Sequence, residues 1–155
     1  MRPMAAGWLS AAAVLGVMFQ EHTVIDEYIQ KLRSVADGIE SVWLFGSRAN
    51  GTSTSASDWD LMLFANESTL SQLKTVPHLK HALVDVLVVY DGLNFVEPWP
   101  ESEDYIKSGD LDSWAWVEES ASSARYRATK YLDEDEWFKL ANTQVLTLKA
   151  GRLWP

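Results

Sequence analysis

The chain holds 155 residues, 47% apolar and 23% charged, enough for one domain with a real core and too few for two comfortable ones. It has no cysteine, so disulfides, thiolate zinc sites and a thiol nucleophile are excluded. The formal net charge of −9 disfavours DNA or RNA as substrate, since a phosphate backbone needs a basic face.

Residues 1–19 carry one arginine and then an apolar stretch, Ala11 to Phe19. The stretch resembles a weak signal peptide and is too short for a membrane span. The favoured reading places the true start at Met18, where the chain runs into a helical pattern, and takes the protein as cytoplasmic with no membrane partner. Glu21 to Val35 reads as that helix, with Val24, Ile25, Tyr28, Ile29, Leu32 and Val35 at three- and four-residue spacings. Asp37-Gly38 ends it.

Ile39 to Phe45 reads as a strand leading into Gly46. Residues 47–57 are small and polar: either a flexible loop, or a short helix from Ser47 that points backbone N–H groups at an anion. Trp59 to Phe64 is a second strand. Ser68 to Val76 is a short helix, capped by Ser68 or Thr69 and closed by Pro77. Ala82 to Tyr90 is a third strand, apolar except for Asp85, and reads as central and covered on both sides. Residues 92–110 read as a long irregular crossing.

Leu111 to Leu132 is predicted helical, with Trp114, Val117, Ala121 and Ala124 along one face. Asp133-x-x-Glu136 has the form of a capping box for a last helix through Ala150, stopped by Gly151. The expected fold class is thus α/β (α+β): a small mixed sheet of three or more strands flanked by helices, with a helical C-terminal extension. Residues 20–155 form a single domain in this reading, with the motif-bearing core at 20–90 and the extension at 92–155. The eight tryptophans, five of them after residue 98, mainly fill its core.

The chemistry concentrates between the first two strands. Gly46-Ser47 ends one apolar run, and ten residues later Asp58-x-Asp60 opens the next. Two acids two apart at a strand start point to one face, and carboxylates held so close repel unless cations sit between them. Mg²⁺ suits such a site, since it takes oxygen ligands and shares them with substrate phosphates. Asp85 supplies a third acid, and a bare charge in so apolar a strand costs several kcal/mol unless paired or metal-bound. Gly46 lets the chain turn sharply and a triphosphate approach the backbone. Ser47 offers a hydroxyl, and Arg48 either meets a phosphate oxygen or is solvated. His22, His78 and His81 lack zinc-site spacing.

On Gly46-Ser47, Asp58, Asp60 and Asp85, the chain resembles the DNA polymerase beta-like nucleotidyltransferase superfamily in its minimal form. It is similar to the small prokaryotic antitoxins that sit beside HEPN-domain toxins. The resemblance covers residues 20–90. It implies that Asp58 and Asp60 bind two Mg²⁺ ions and the triphosphate of ATP or another NTP. Asp85 would ligate the ion that lowers the pKa of an acceptor hydroxyl. The acceptor oxygen would attack the α-phosphorus and pyrophosphate would leave, with AMP the expected moiety transferred.

The acidic charge favours a protein acceptor, such as a HEPN-type toxin, or a small molecule over nucleic acid. An aminoglycoside-type modifying enzyme is one alternative, since an acidic cleft attracts a polycation. A catalytically silent protein that docks on a partner is the other.

Overall fold

The computed structural model describes residues 24–131 and 143–155. The chain divides into two compact units between Val35 and Ala36. In the first, residues 24–35 form helix α1. Ile25, Ile29 and Leu32 are buried at the predicted spacing, whereas Val24 and Val35, expected on the same face, are exposed. The apolar leader and residues 21–23 of the expected helix lie outside the described residues.

The second unit is built on one eight-stranded sheet. Its elements are β1 (Ser41–Phe45), α2 (Gly46–Ala49), β2 (Trp59–Phe64), α3 (Glu67–Lys74), β3 (Val84–Val89), β4 (Asn94–Val96), β5 (Ser108–Asp110), β6 (Val117–Glu118), β7 (Ser123–Tyr131) and β8 (Thr143–Trp154). The strand order is β5-β4-β3-β2-β1-β8-β7-β6. Only β2 and β3 run parallel; the other neighbours are antiparallel. The parallel pair is joined through α3, as a crossover requires. Asn66 caps α3 by accepting from the Thr69 N–H at 2.8 Å, in place of the expected Ser68 or Thr69.

Register aligns the three central strands in layers. Phe45 faces Asp60, which faces Asp85; Trp43 faces Met62, which faces Leu87; Ser41 faces Phe64, which faces Val89. Because side chains alternate along each strand, Phe45, Asp60 and Asp85 share one face. On that face Trp43, Met62, Leu87, Val89 and Phe95 gather with Leu111, Ala124, Tyr126 and Ala150 into one core cluster. Fully burying side chains of this size contributes about 1.5–3 kcal/mol each. The opposite face is equally apolar, with Val42, Leu61, Leu63 and Val88 all buried. The acids thus stand near the starts of two central strands, at the end of an otherwise buried face.

The C-terminal part departs from expectation. The crossing at 92–110 contains strands β4 and β5, paired to each other, with β4 also paired to β3. Over residues 111–131, the helix expected at Leu111–Leu132 is a turn followed by β6 and β7. The last expected helix is overturned over 143–150, which belongs to β8; residues 132–142 lie outside the described residues. The helical C-terminal extension is therefore a β-hairpin of β7 and β8, added to the free edge of β1. Ala124, Tyr126 and Ala150 pack inward while Arg125 and Arg127 face out, the period-2 pattern of a half-buried strand. No described helix is long and apolar enough to cross a membrane.

Candidate active site

Gly46 turns the chain out of β1 at φ +72°, in the left-handed region that favours glycine. The turn also needs space: a Cβ at residue 46 would overlap Oδ2 of Asp60. The glycine and the acid are therefore fitted to one another across the β1–β2 register. The Gly46 N–H donates to the Tyr126 hydroxyl at 2.8 Å. The first amide of the expected phosphate cradle is thus engaged by β7. Helix α2, begun at Gly46 and Ser47, is four residues long. The Ser47 carbonyl accepts the N–H groups of Asn50 and Thr52 at 3.2 and 3.1 Å, which closes the turn.

Two residues absent from the sequence reading hold this turn in place. Asn50 donates to the carbonyls of Gly46 (2.8 Å) and Lys149 (2.9 Å) and accepts the Lys149 N–H (2.8 Å). It thereby clamps α2 onto β8. Tyr126 is the other, through its bond to Gly46. Asn50→Ala is expected to lower the unfolding free energy by about 1–2 kcal/mol, the net loss of one or two such bonds, in urea denaturation. An unchanged midpoint would show that α2 docks on β8 by other means.

Arg48, read from sequence as either a phosphate contact or a solvated side chain, braces the loop in this structure. Its guanidinium donates to the Ser57 carbonyl at 3.1 and 2.9 Å and lies 4.4 Å from the ring centre of Trp59. The 51–57 segment is ordered by further local bonds, with Ser57 Oγ accepting the Thr54 N–H at 2.8 Å. Together these fix the point at which the chain enters β2.

Asp58 precedes that strand and is exposed; Asp60 and Asp85 are half-buried, side by side on β2 and β3. Burial pushes the Asp60 carboxyl from its ordinary 3.8 to about 6. The charges of Asp85 and Asp58 and a hydrogen bond with Asp85 push the same way, and the Lys107 ammonium opposes them. Phe45, Asp60, Asp85, Glu97, Lys107 and Trp114 line a cavity of about 220 Å³ over the pair. Among the described residues no three His, Cys, Asp or Glu side chains stand close enough to hold a metal ion. The expected three-acid site is thus a close pair with Asp58 at its rim. The pair still fits a hard divalent cation: both donors are carboxylate oxygens, and their mutual repulsion is what such a cation relieves.

Residues 27–109 match the model of the family described as polymerase beta, nucleotidyltransferase. The chain belongs to that family, and its fold is nucleotidyltransferase-like. No curated protein gives a significant match. Among solved structures, the chain is similar to one described as a "putative nucleotidyltransferase" from Sulfolobus solfataricus. The two share 21% identity over 60% of this chain and 80% of that one, with a TM-score of 0.40.

Proposed function

We propose that this chain transfers a nucleoside monophosphate, expected to be AMP, from a nucleoside triphosphate to a hydroxyl of a protein or small-molecule acceptor. The observation that carries the reading is the alignment of the Gly46 turn, Asp60 and Asp85 at one end of three neighbouring strands. Asp60 and Asp85 would hold Mg²⁺, with Asp58 within electrostatic reach. A divalent cation bound there lowers the pKa of an acceptor hydroxyl and offsets charge on the departing phosphates.

The chain's own residues do the positioning. Gly46 leaves room for Asp60 beside the turn. Asp85, on the flank away from β1, takes up the acceptor proton. Lys107 lies against the pair and balances charge on the phosphoryl group in flight. The acceptor oxygen forms a bond to the α-phosphorus, the bond to the β-phosphate oxygen breaks, and pyrophosphate leaves with that electron pair.

The acceptor enters from the Asp85 side. A cavity of about 320 Å³ there is lined by Asp85, Lys80, Glu97, Glu101 and Lys107 among others. Its mixed charge, with the net charge of −9, suits a polar protein segment or small molecule better than a nucleic acid. Modification of a HEPN-type toxin, with this chain as antitoxin, is the specific form we favour.

The test is incubation with α-labelled ATP and Mg²⁺ together with a HEPN-type protein or an aminoglycoside. Label in the acceptor, lost on chelating the metal, is expected. Stable association with the HEPN-type protein with no label transferred would instead favour the silent binding protein.

A further inference from the structure

One tyrosine stands apart from the packing of the chain. Tyr28 and Tyr90 are half-buried and Tyr126 is buried, whereas Tyr105 is 76% exposed. Its backbone is nonetheless fixed. The Tyr105 N–H donates to the Ser102 carbonyl at 3.3 Å, and the Asp104 N–H donates to Ser102 Oγ at 3.2 Å, which closes a turn over residues 102–105. Two residues on, the Lys107 N–H donates to Oε1 of Glu97 at 3.2 Å, and the Glu97 N–H donates to the Lys107 carbonyl at 2.9 Å. These bonds continue the β4–β5 pairing and anchor the segment beside the site.

The turn sets Tyr105 in the wall of the cavity that Asp85 also lines. Lys107 lines that cavity and the one over Asp60 and Asp85. Two residues of chain span about 7 Å at most, so Tyr105 is tethered close to a side chain that lies against the acid pair. Residues 101–107 are all exposed, so the ring can swing toward Asp85 without loss of core packing. The cavity offers two side-chain hydroxyls, those of Ser102 and Tyr105. That of Ser102 is engaged within the turn, and an aliphatic hydroxyl holds its proton far more tightly than a phenol. Among the described residues no group is hydrogen-bonded to the Tyr105 hydroxyl.

We propose that Tyr105 is an acceptor for its own chain, so that the protein nucleotidylates itself. The proposal rests on the reading of the chain as a nucleotidyltransferase. The phenol oxygen forms a bond to the α-phosphorus of the bound triphosphate, and the bond from that phosphorus to the β-phosphate oxygen breaks. Pyrophosphate leaves with that electron pair, and the phenol proton passes to Asp85. The product is a tyrosyl phosphodiester with a single negative charge, which Lys80 and Lys107 of the same cavity offset. An acceptor tethered to the site is present at high effective concentration, so the reaction proceeds without an outside acceptor.

The test is incubation of the full chain alone with Mg²⁺ and each common α-labelled ribonucleoside triphosphate, followed by denaturation. Label is expected to stay on the chain, with an intact mass raised by one nucleoside monophosphate and fragments that place it on Tyr105. The labelling rate per chain is expected to be unchanged on dilution, as attack within one molecule requires. Tyr105→Phe, at an exposed position, should melt as wild type does and take no label. Asp60→Asn should take none either, which excludes a contaminating enzyme. Label on another residue, label retained in Tyr105→Phe, or a rate that falls with dilution would overturn the proposal. An unlabelled wild-type chain that binds the triphosphate with Mg²⁺ in calorimetry would overturn it too, and leave the nucleotidyltransferase reading standing. A chain that neither takes label nor binds a triphosphate would bring down that reading, and the role of Tyr105 with it.

Discussion

Asp60→Asn is expected to abolish nucleotide transfer, by about a thousandfold or more, while the metal-free protein becomes more stable at neutral pH. The two effects share one cause. Burial, the neighbouring acids and the hydrogen bond with Asp85 raise the folded-state pKa of Asp60 to about 6, above its ordinary 3.8. Folding therefore favours the protonated form. That contribution is complete below pH 4, and it is lost as pH rises through about 6. At neutral pH the wild-type chain holds a carboxylate in a place that disfavours it, and an amide of the same shape removes the penalty.

Asp60 is only partly buried, so solvent screening reduces the gain to about 1 kcal/mol, or about 2–4 °C in Tm. Thermal melts with and without Mg²⁺ are the measurement. Without Mg²⁺ the variant should melt above wild type, by a margin that shrinks as pH falls below 6. With Mg²⁺ the wild type should gain stability by linkage, and the variant should gain little. A variant that responds to Mg²⁺ as wild type does would remove Asp60 from the metal site. A variant that still transfers nucleotide would remove it from the chemistry.

The central sheet was legible in the sequence because its signals are local. Val42-Trp43-Leu44-Phe45, Leu61-Met62-Leu63-Phe64 and the 84–89 run are apolar stretches bounded by Gly, Asp and Ser, and each is a strand. The hairpin was not legible, although its signal was present. Ala124, Tyr126 and Ala128 alternate with Arg125, Arg127 and Thr129, as do Leu146, Leu148 and Ala150 with their neighbours. Three- and four-residue spacings such as Trp114–Val117 and Val145–Leu148 fit a helix equally well in isolation. Pairing between β7 and β8 decides for the strand, and no local window contains it.

The acids of the site were similarly visible, since a charge in an apolar run announces itself. Its supports were not. Tyr126 reaches Gly46 across 80 residues and Asn50 reaches Lys149 across 99. An arginine beside a glycine turn reads equally as a phosphate contact or a solvated side chain, and only the fold shows the Ser57 carbonyl and the Trp59 ring that engage it.

Gly46→Ala is the second variant with a large expected effect, and Gly51→Ala is its control. The two glycines have almost the same backbone, φ +72° and +71°. An L-residue in that region costs about 1–2 kcal/mol. Around Gly51 nothing lies within 4 Å of an added Cβ, so Gly51→Ala should lose only that stability and keep its transfer rate. At Gly46 the added methyl meets the Asp60 carboxylate, which must move. A displacement of about 1 Å in a positioning group costs on the order of a hundredfold in rate.

The pair of variants therefore separates strain from fit. Both should unfold at lower urea concentration than wild type, Gly46→Ala the more so, and only Gly46→Ala should lose transfer, with its Mg²⁺ stabilisation weakened in parallel. Equal activity in the two variants would mean that Gly46 serves the turn alone and that Asp60 has room to spare. A loss confined to Gly46→Ala would locate the need for glycine in the contact between the β1 turn and the first acid of the pair.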